Sequence, residues 1–309
     1  MINYYIVGHQ SPDTDSVVSA IVLASYLKKK GVTAQPLIIG KPNRETKFIL
    51  DKFKQEVPKS LKRTPAGAKF YLVDHGGLDQ SISGLKEENI VGIIDHHQLG
   101  GIKTDAPIFC RVEAVGSTST LIAKMFNEAG WKIDKKTASL LIAGIISDTL
   151  NLTSKTTTRE DRVILNELIK TAKIDHKKLA QEIFEAKSDI SGMNLKKIIT
   201  NDFKEYEHKG KRLGVGVFEA VDVSSFNEKK EEIFKVLTKL KEEKRFDLLF
   251  FGSVDIIKRK TYLFIPDREE ADISKKAFGL SSSDTKSVVT LDGITSRKKE
   301  IIPSIFKSI

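Results

Sequence analysis

Cysteine is almost absent from this sequence, in which Cys110 is the single cysteine among 309 residues. One thiol excludes an internal disulfide and a cysteine-rich metal site. Long apolar runs are absent too, since no stretch reaches the ~18–20 apolar residues of a membrane-spanning helix. The N-terminal segment also lacks the basic stretch and small-residue cleavage site of a secretory signal. We therefore expect a cytoplasmic protein with no membrane partner, in which Cys110 is buried in an apolar context.

The composition is that of a folded protein with anionic partners. Apolar residues make up 40% of the chain and charged residues 30%, which excludes disorder of the whole chain. Lysine and arginine, at 51 residues, outnumber the 41 acidic residues and give a net charge of +10. This charge favours nucleic acid, acidic lipid or phosphate-bearing small molecules as partners. The lysines are spread along predicted helices without interleaved arginines and aromatic residues, so solvated helix surfaces are favoured over a nucleic-acid partner.

The first half of the chain alternates between strand and helix patterns. Two mainly apolar runs, 69–73 and 90–94, have the length of strands that are buried on both faces of a parallel sheet. Further strands are predicted over 3–7 and 34–39, with helices between the strands. Strands separated by helix-length segments predict a doubly wound, mainly parallel α/β sheet.

The length of 309 residues suits two domains rather than one. Small and polar residues over 189–194 interrupt a mainly helical region and predict a linker. We therefore predict an N-terminal domain over 1–188 and a smaller C-terminal α/β domain over 195–309. The second domain is expected to begin with a helix over 195–206 and to continue with strands and a charged helix.

Histidine and aspartate residues follow the predicted strands of the first domain. They are His9, Asp13 and Asp15 after the first strand, Asp74 and His75 after the third, and Asp95, His96 and His97 after the fourth. The carboxyl ends of such strands are where open α/β sheets bind ligands. Asp148 lies in a strongly apolar helix, where an acid is costly to bury without a partner. Mixed imidazole and carboxylate ligands at one edge predict a divalent cation site, with Mn²⁺ as the first candidate.

Each of these residues also has a simpler interpretation when it is taken alone. Asp13 or Asp15 is more typical of a helix N-cap, and His75 of a hydrogen-bonded or surface histidine. Agreement between several strand ends favours the metal site over these separate explanations.

In their order along the chain, these motifs resemble those of the DHH phosphoesterase superfamily. The motifs are His9–Ser16, Asp74-His75, Asp95–His97 and Ser147–Thr149. The run Ser296–Glu300 resembles the Ser-Arg-Lys-Lys signature of one branch, the family II (manganese-dependent) inorganic pyrophosphatases. The resemblance covers the whole chain. It implies a DHH metal-binding catalytic domain followed by a DHHA2-type substrate-binding domain.

The resemblance implies hydrolysis of pyrophosphate to two phosphates by a water that two metal ions bridge and activate. It implies two Mn²⁺ ions per subunit, with Co²⁺ possible in their place, and Mg²⁺ that arrives with the substrate. The implied ligands are His9, Asp13 and Asp74 for the first ion, and Asp15, His96, Asp148 and the shared, catalytic Asp74 for the second.

Other residues are implied to handle the substrate and to orient the ligands. His97 would face the substrate as a proton donor, while Lys204, Arg297 and Lys298 would bind its phosphates as a cationic clamp. Asp95 would orient a histidine. The amides of the turn Gly116–Thr120 would help to order the site, although helix capping explains that turn equally well. The resemblance also implies a homodimer joined through the N-terminal domains.

Three departures from the family pattern are expected to affect metal affinity and pH optimum rather than catalysis itself. They are Ser11 in place of asparagine, Gly76-Gly77 in place of Asn-Glu, and Glu300 in place of glutamine.

The alternative to a pyrophosphatase is an exopolyphosphatase or another enzyme of the DHH phosphoesterase superfamily. The Gly-Gly-Gly-His segment of the oligonucleotide branch is absent from the sequence. A non-enzymatic nucleotide sensor or nucleic-acid binding module is the alternative from another class.

Overall fold

The computed structural model describes residues 4–98, 100–280 and 286–309. The chain divides into two compact units, Met1–Ala186 and Lys187–Ile309. Within the described ranges, no helix combines the length and the apolar character that crossing a membrane requires. Asn3, included in the first predicted strand, lies outside the described residues.

The first unit contains a parallel sheet with helices around it. Its strands are β1 (Tyr4–Val7), β2 (Ala34–Ile38), β3 (Lys59–Ser60), β4 (Lys69–Val73), β5 (Ile90–Asp95) and β6 (Phe109–Val112). Its helices are α1 (Thr14–Lys29), α2 (Arg44–Lys52), α3 (Thr118–Glu128), α4 (Lys135–Thr149), α5 (Arg159–Ala172) and α6 (His176–Ser188), with short 3-10 helices at Leu78–Gln80 and Glu87–Asn89.

Six strands of the described chain pair in the order β3-β2-β1-β4-β5-β6, and every pair is parallel. The predicted doubly wound, mainly parallel sheet is thus confirmed. Phe70, Leu72 and Ile94 are fully buried, as expected for strands covered on both faces. The chain order reverses between β1 and β4, and a reversal of this kind opens a crevice beyond the carboxyl ends of the strands.

Polar caps start two helices at this edge of the sheet. Asp13 accepts a hydrogen bond from the Ser16 amide at 2.9 Å and caps α1. Ser117 accepts one from the Thr120 amide at 3.2 Å and caps α3. Such caps satisfy amides that have no partner within the helix. They fix the chain where both helices approach the strand ends.

The second unit contains a mixed sheet. Its strands are β7 (Asp202–His208), β8 (Lys211–Ala220), β9 (Leu248–Asp255), β10 (Lys260–Ile265) and β11 (Ser287–Asp292). Its helices are α7 (Leu195–Asn201), α8 (Ser224–Glu228), α9 (Lys230–Lys244), α10 (Arg268–Phe278) and α11 (Ile302–Ser308), preceded by a π-helical turn at Arg297–Ile301. In the described residues the strand order is β11-β10-β9-β8-β7, and only β8 and β9 run parallel.

Two local predictions are wrong. The helix expected over 195–206 ends at Asn201, and Tyr206 lies in β7, which forms a hairpin with β8. Lys209 and Gly210 connect these strands with φ of 49° and 74°, the backbone of a tight two-residue hairpin turn. Cys110 is exposed rather than buried, because its apolar segment forms β6 at the edge of the sheet.

Candidate metal centre

Three neighbouring strand ends and two helices supply the candidate ligands. His9 follows β1, Asp74 follows β4 and His96 follows β5, so all three leave the same edge of the sheet. Asp15 lies in the first turn of α1, and Asp148 lies in the last turn of α4. The structure therefore brings together residues from across most of the first unit.

Asp74 has an unusual backbone conformation at the end of β4. Its φ is 62°, in the left-handed region that few residues other than glycine adopt. The Asp74 amide donates to the Ile94 carbonyl at 3.0 Å, which fixes this turn against β5. Strained positions of this kind concentrate at functional sites.

The first group of ligand atoms surrounds His9. Its Nε2 lies 3.4 Å from Asp13 Oδ2 and 3.4 Å from Asp74 Oδ2. Burial works to lower the pKa of His9, but its close contacts with the Asp13 and Asp74 carboxylates outweigh burial and raise the pKa to about 10. The two carboxylates thus create a strong attraction for positive charge at this point.

The second group surrounds His96. Its Nε2 lies 3.3 Å from Asp74 Oδ1 and 3.3 Å from Asp148 Oδ2, and an oxygen of Asp15 completes a set of ligand atoms within 4.8 Å of one another. The Nδ1 atom is 3.0 Å from the Val115 carbonyl, an orientation that directs Nε2 at the acids. Burial opposes protonation of His96, but Asp148 and Asp74 raise its pKa to about 11.

The acids respond differently to their shared environment. Burial, reinforced by the charges of Asp74 and Asp148, raises the pKa of Asp15 well above its usual value. Burial likewise raises the pKa of Asp148 to about 6 despite its contact with His96. Burial would also raise the pKa of Asp74, but His9 and His96 lower it. Three carboxylates that share one buried site thus oppose one another's ionisation, and additional positive charge would favour the ionised forms.

The donor set fits divalent cations. Asp74 belongs to both groups, with Oδ2 beside His9 and Oδ1 beside His96. Across the described residues, buried Asp74 Oδ2 and His96 Nε2 have no hydrogen-bond partner. A buried polar atom without a partner is costly, and coordination to a cation would remove that cost. Imidazole and carboxylate together suit ions such as Mn²⁺.

The first turn of α3 holds two of the acids in place. The amides of Thr118 and Ser119 donate to the two oxygens of Asp15 at 2.6 and 2.9 Å, and the Thr118 hydroxyl donates to Asp74 Oδ1 at 3.0 Å. Gly144 of α4 packs against Ser119 and Asp15. A Cβ at Gly144 would lie 2.1 Å from Ser119 Oγ and 2.8 Å from Asp15 Oδ1. Sequence reasoning found no sign that position 144 needs glycine, because this need arises only where α4 packs against the start of α3.

Asp95 organises the two histidines that follow β5. Its Oδ1 accepts hydrogen bonds from the amides of His96 and His97 at 2.8 and 3.1 Å, and lies 2.9 Å from His97 Nδ1. The contact with Asp95 raises the pKa of half-exposed His97.

His75 is oriented differently: its Nδ1 is 2.9 Å from the Val73 carbonyl, and burial lowers its pKa. Within the described part of the chain, His75 joins no group of ligand atoms.

The three cations expected to bind phosphate lie in the second unit. Lys204 is exposed on β7, and Lys298 is exposed in the π-helical turn. Arg297 donates to the Asp202 carbonyl, and its Nη2 lies 2.8 Å from Asp202 Oδ1. Glu300 accepts from the amides of Thr295 and Ser296, which lowers its pKa and closes the turn that carries Arg297 and Lys298.

Comparison with known proteins identifies the family. Residues 3–145 match the N-terminal domain of the DHH family, and residues 181–308 match the DHHA2 domain. A manganese-dependent inorganic pyrophosphatase of Methanothrix thermoacetophila is 37% identical over 98% of this chain and 97% of its own. The one from Bacillus subtilis is 33% identical over 96% of each chain.

The chain belongs to the manganese-dependent inorganic pyrophosphatase family. The crystal structure of a Methanococcus jannaschii protein assigned to family II of the inorganic pyrophosphatases has a TM-score of 0.63 with this chain, at 35% identity over 99% of both. The family resemblance that the sequence motifs predicted is therefore confirmed, as is the order of a DHH and a DHHA2 domain.

Proposed function

We propose that this protein is a manganese-dependent inorganic pyrophosphatase, which hydrolyses pyrophosphate to two phosphates. The observation that carries the proposal is one buried carboxylate, Asp74, that contributes an oxygen to each of two adjacent groups of His and Asp ligands. Membership of the family, over nearly the whole chain, supports the same activity.

In this proposal each group of ligand atoms holds one Mn²⁺ ion, with Co²⁺ as an alternative. His9, Asp13 and Asp74 hold the first ion, and Asp15, Asp74, His96 and Asp148 hold the second. A bound pair of divalent cations lowers the pKa of coordinated water and neutralises charge on the phosphoryl oxygens. The shared carboxylate keeps the two sets of ligands adjacent.

His97 is proposed to donate a proton to the leaving phosphate. Its Nδ1 lies 2.9 Å from Asp95 Oδ1, which orients the ring and leaves Nε2 as the atom for the substrate. The exposure of His97 favours contact with a ligand in solution over a purely structural role. A positioned donor of this kind is the usual element of general acid catalysis.

Lys204, Arg297 and Lys298 are proposed to bind the two phosphates of pyrophosphate, which arrives with bound Mg²⁺. Lysine acts as a point charge, whereas arginine presents a planar pair of donors that matches phosphate geometry. Asp202 orients the Arg297 guanidinium through two contacts. Cations around the transferred group stabilise the charge that develops during reaction.

We also propose a cytoplasmic homodimer that joins through its N-terminal domains and has no membrane or nucleic-acid partner. Support for the dimer comes from β6, which pairs with β5 and has no other strand beside it among the described residues. Phe109 on β6 is 47% exposed, and Cys110 is exposed beside it. Sedimentation of Phe109→Lys should give a monomer where the unchanged protein gives a dimer; equal masses would contradict this interface.

Orthophosphate release tests the proposed activity. The protein is stripped of metal and assayed with Mn²⁺, Co²⁺ or Mg²⁺, on pyrophosphate and on long-chain polyphosphate. We expect Mn²⁺ to restore hydrolysis and pyrophosphate to be cleaved faster than the polymer. Faster turnover of polyphosphate would favour the exopolyphosphatase alternative instead.

A further inference from the structure

A buried carboxylate outside both groups of candidate ligands lies at the N-terminus of α5. Asp161 is 0% exposed and forms a capping box with Thr158. Its Oδ2 accepts from the Thr158 amide and hydroxyl, both at 2.7 Å. Capping alone would explain these two contacts.

Asp161 has further contacts that capping does not require. The Gly116 amide donates to both carboxylate oxygens at 3.0 and 2.9 Å, and the Thr120 hydroxyl donates to Oδ1 at 2.7 Å. Gly116 and Thr120 stand on either side of Thr118 and Ser119, whose amides bind Asp15. Asp161 therefore fastens both ends of the segment that orients a candidate metal ligand.

The approach of Gly116 to this carboxylate leaves no room for a side chain. A Cβ at Gly116 would lie 2.8 Å from Asp161 Oδ2 and 2.6 Å from Thr149 Cγ2. Thr149 directly follows Asp148 in α4. The end of α4 and the starts of α5 and α3 thus meet at one closely packed point, and the end of α4 carries the candidate ligand Asp148.

We infer that Asp161 is a positioning residue for the metal centre, acting through the turn 116–120 on Asp15 and, through Thr118, on Asp74. The inference rests on the proposed manganese site. Metal ligands must be held within about 0.2 Å of their proper distances, so a looser turn weakens binding although Asp161 itself contacts no ion. Loss of a residue that orients ligands typically reduces metal affinity ~10–100-fold.

Asp161→Asn tests this inference, because the amide keeps the shape but replaces one acceptor oxygen with a donor. The metal-free protein is titrated with MnCl₂ by calorimetry, and its melting temperature is measured without metal. We expect Mn²⁺ affinity to fall about 10-fold, while kcat at saturating Mn²⁺ stays close to that of the unchanged protein. Thr120→Val removes the hydroxyl that contacts Asp161 and Ser117 and leaves the contacts of Asp161 with Thr158 in place. It should also weaken Mn²⁺ binding, so it carries the test if Asp161→Asn does not fold.

Thr158→Ala is the matched control. It removes the hydroxyl contact on the helix side and leaves Gly116 and Thr120 bound to Asp161. It should lower the melting temperature and leave Mn²⁺ affinity unchanged. Unchanged affinity in Asp161→Asn and Thr120→Val, or an equal loss in Thr158→Ala, would reduce Asp161 to a structural cap and overturn the inference. Failure of the unchanged protein to bind Mn²⁺ would instead refute the proposed function.

Discussion

Replacing Gly144 by alanine should lower the stability of the folded protein, although alanine is the better helix former. Alanine improves helix propensity by ~1 kcal/mol over glycine. Its methyl group would lie 2.1 Å from Ser119 Oγ and 2.8 Å from Asp15 Oδ1, and such overpacking of a buried site costs ~1–3 kcal/mol. Ser119 Oγ can rotate away, whereas Asp15 is held by two amides and cannot move without losing a hydrogen bond. The net effect is a destabilisation of about 1 kcal/mol, or ~2–4 °C in melting temperature.

The same substitution should reduce Mn²⁺ affinity, because the displaced oxygen belongs to a candidate ligand. Thermal unfolding of the metal-free protein and calorimetric titration with MnCl₂ measure the two effects separately. A Gly144→Ala, Ser119→Ala double variant removes the 2.1 Å overlap and keeps the one with Asp15. It should regain neither stability nor Mn²⁺ affinity, because the overlap with Asp15, to which both losses are attributed, is unchanged. A Gly144→Ala protein that melts higher than the unchanged protein and binds Mn²⁺ equally well would refute this reasoning.

Three further substitutions separate the proposed roles. Asp148→Asn should abolish hydrolysis at micromolar Mn²⁺ with an unchanged circular dichroism spectrum, and near-normal turnover would remove it from the ligand set. Arg297→Ala should raise KM for pyrophosphate roughly 10–100-fold, the loss expected for a charged hydrogen bond, while metal analysis shows full occupancy; loss of metal would contradict its role in substrate binding. His97→Gln should lower kcat about 100-fold, a typical contribution of a general acid, with metal content retained. Equal losses of kcat and metal would assign His97 to metal binding instead.

Local patterns were sufficient to predict the four central strands of the first unit, β2, β1, β4 and β5, but not the edge strands β3 and β6. The mainly apolar runs 69–73 and 90–94 correspond to β4 and β5, in which most positions are buried because the sheet is covered on both faces. Polar residues directly after such runs, Asp74 above all, then had to lie at one edge of the sheet. The candidate ligands could be proposed from sequence for this reason.

Contacts between distant elements could not be predicted in the same way. Asp161 has the sequence pattern of a helix cap, and its contact with Gly116 depends on how α3 and α5 pack. Gly144 resembles an ordinary weak position in a helix until α4 is placed beside Asp15. Tyr206 was misassigned because β7 is largely exposed and charged, without an apolar alternation strong enough to distinguish a strand from a helix.

The order in which the strands pair explains why one carboxylate joins both groups of ligands. β4 lies between β1 and β5, so the residue that ends β4 lies between those that follow its two neighbours. His9 follows β1 and His96 follows β5, and Asp74 directs Oδ2 toward the first and Oδ1 toward the second. The left-handed backbone at Asp74 turns the chain at that point, with its amide bonded to Ile94 of β5. The position of one aspartate between two groups of candidate ligands is therefore a consequence of strand order combined with the left-handed backbone of Asp74.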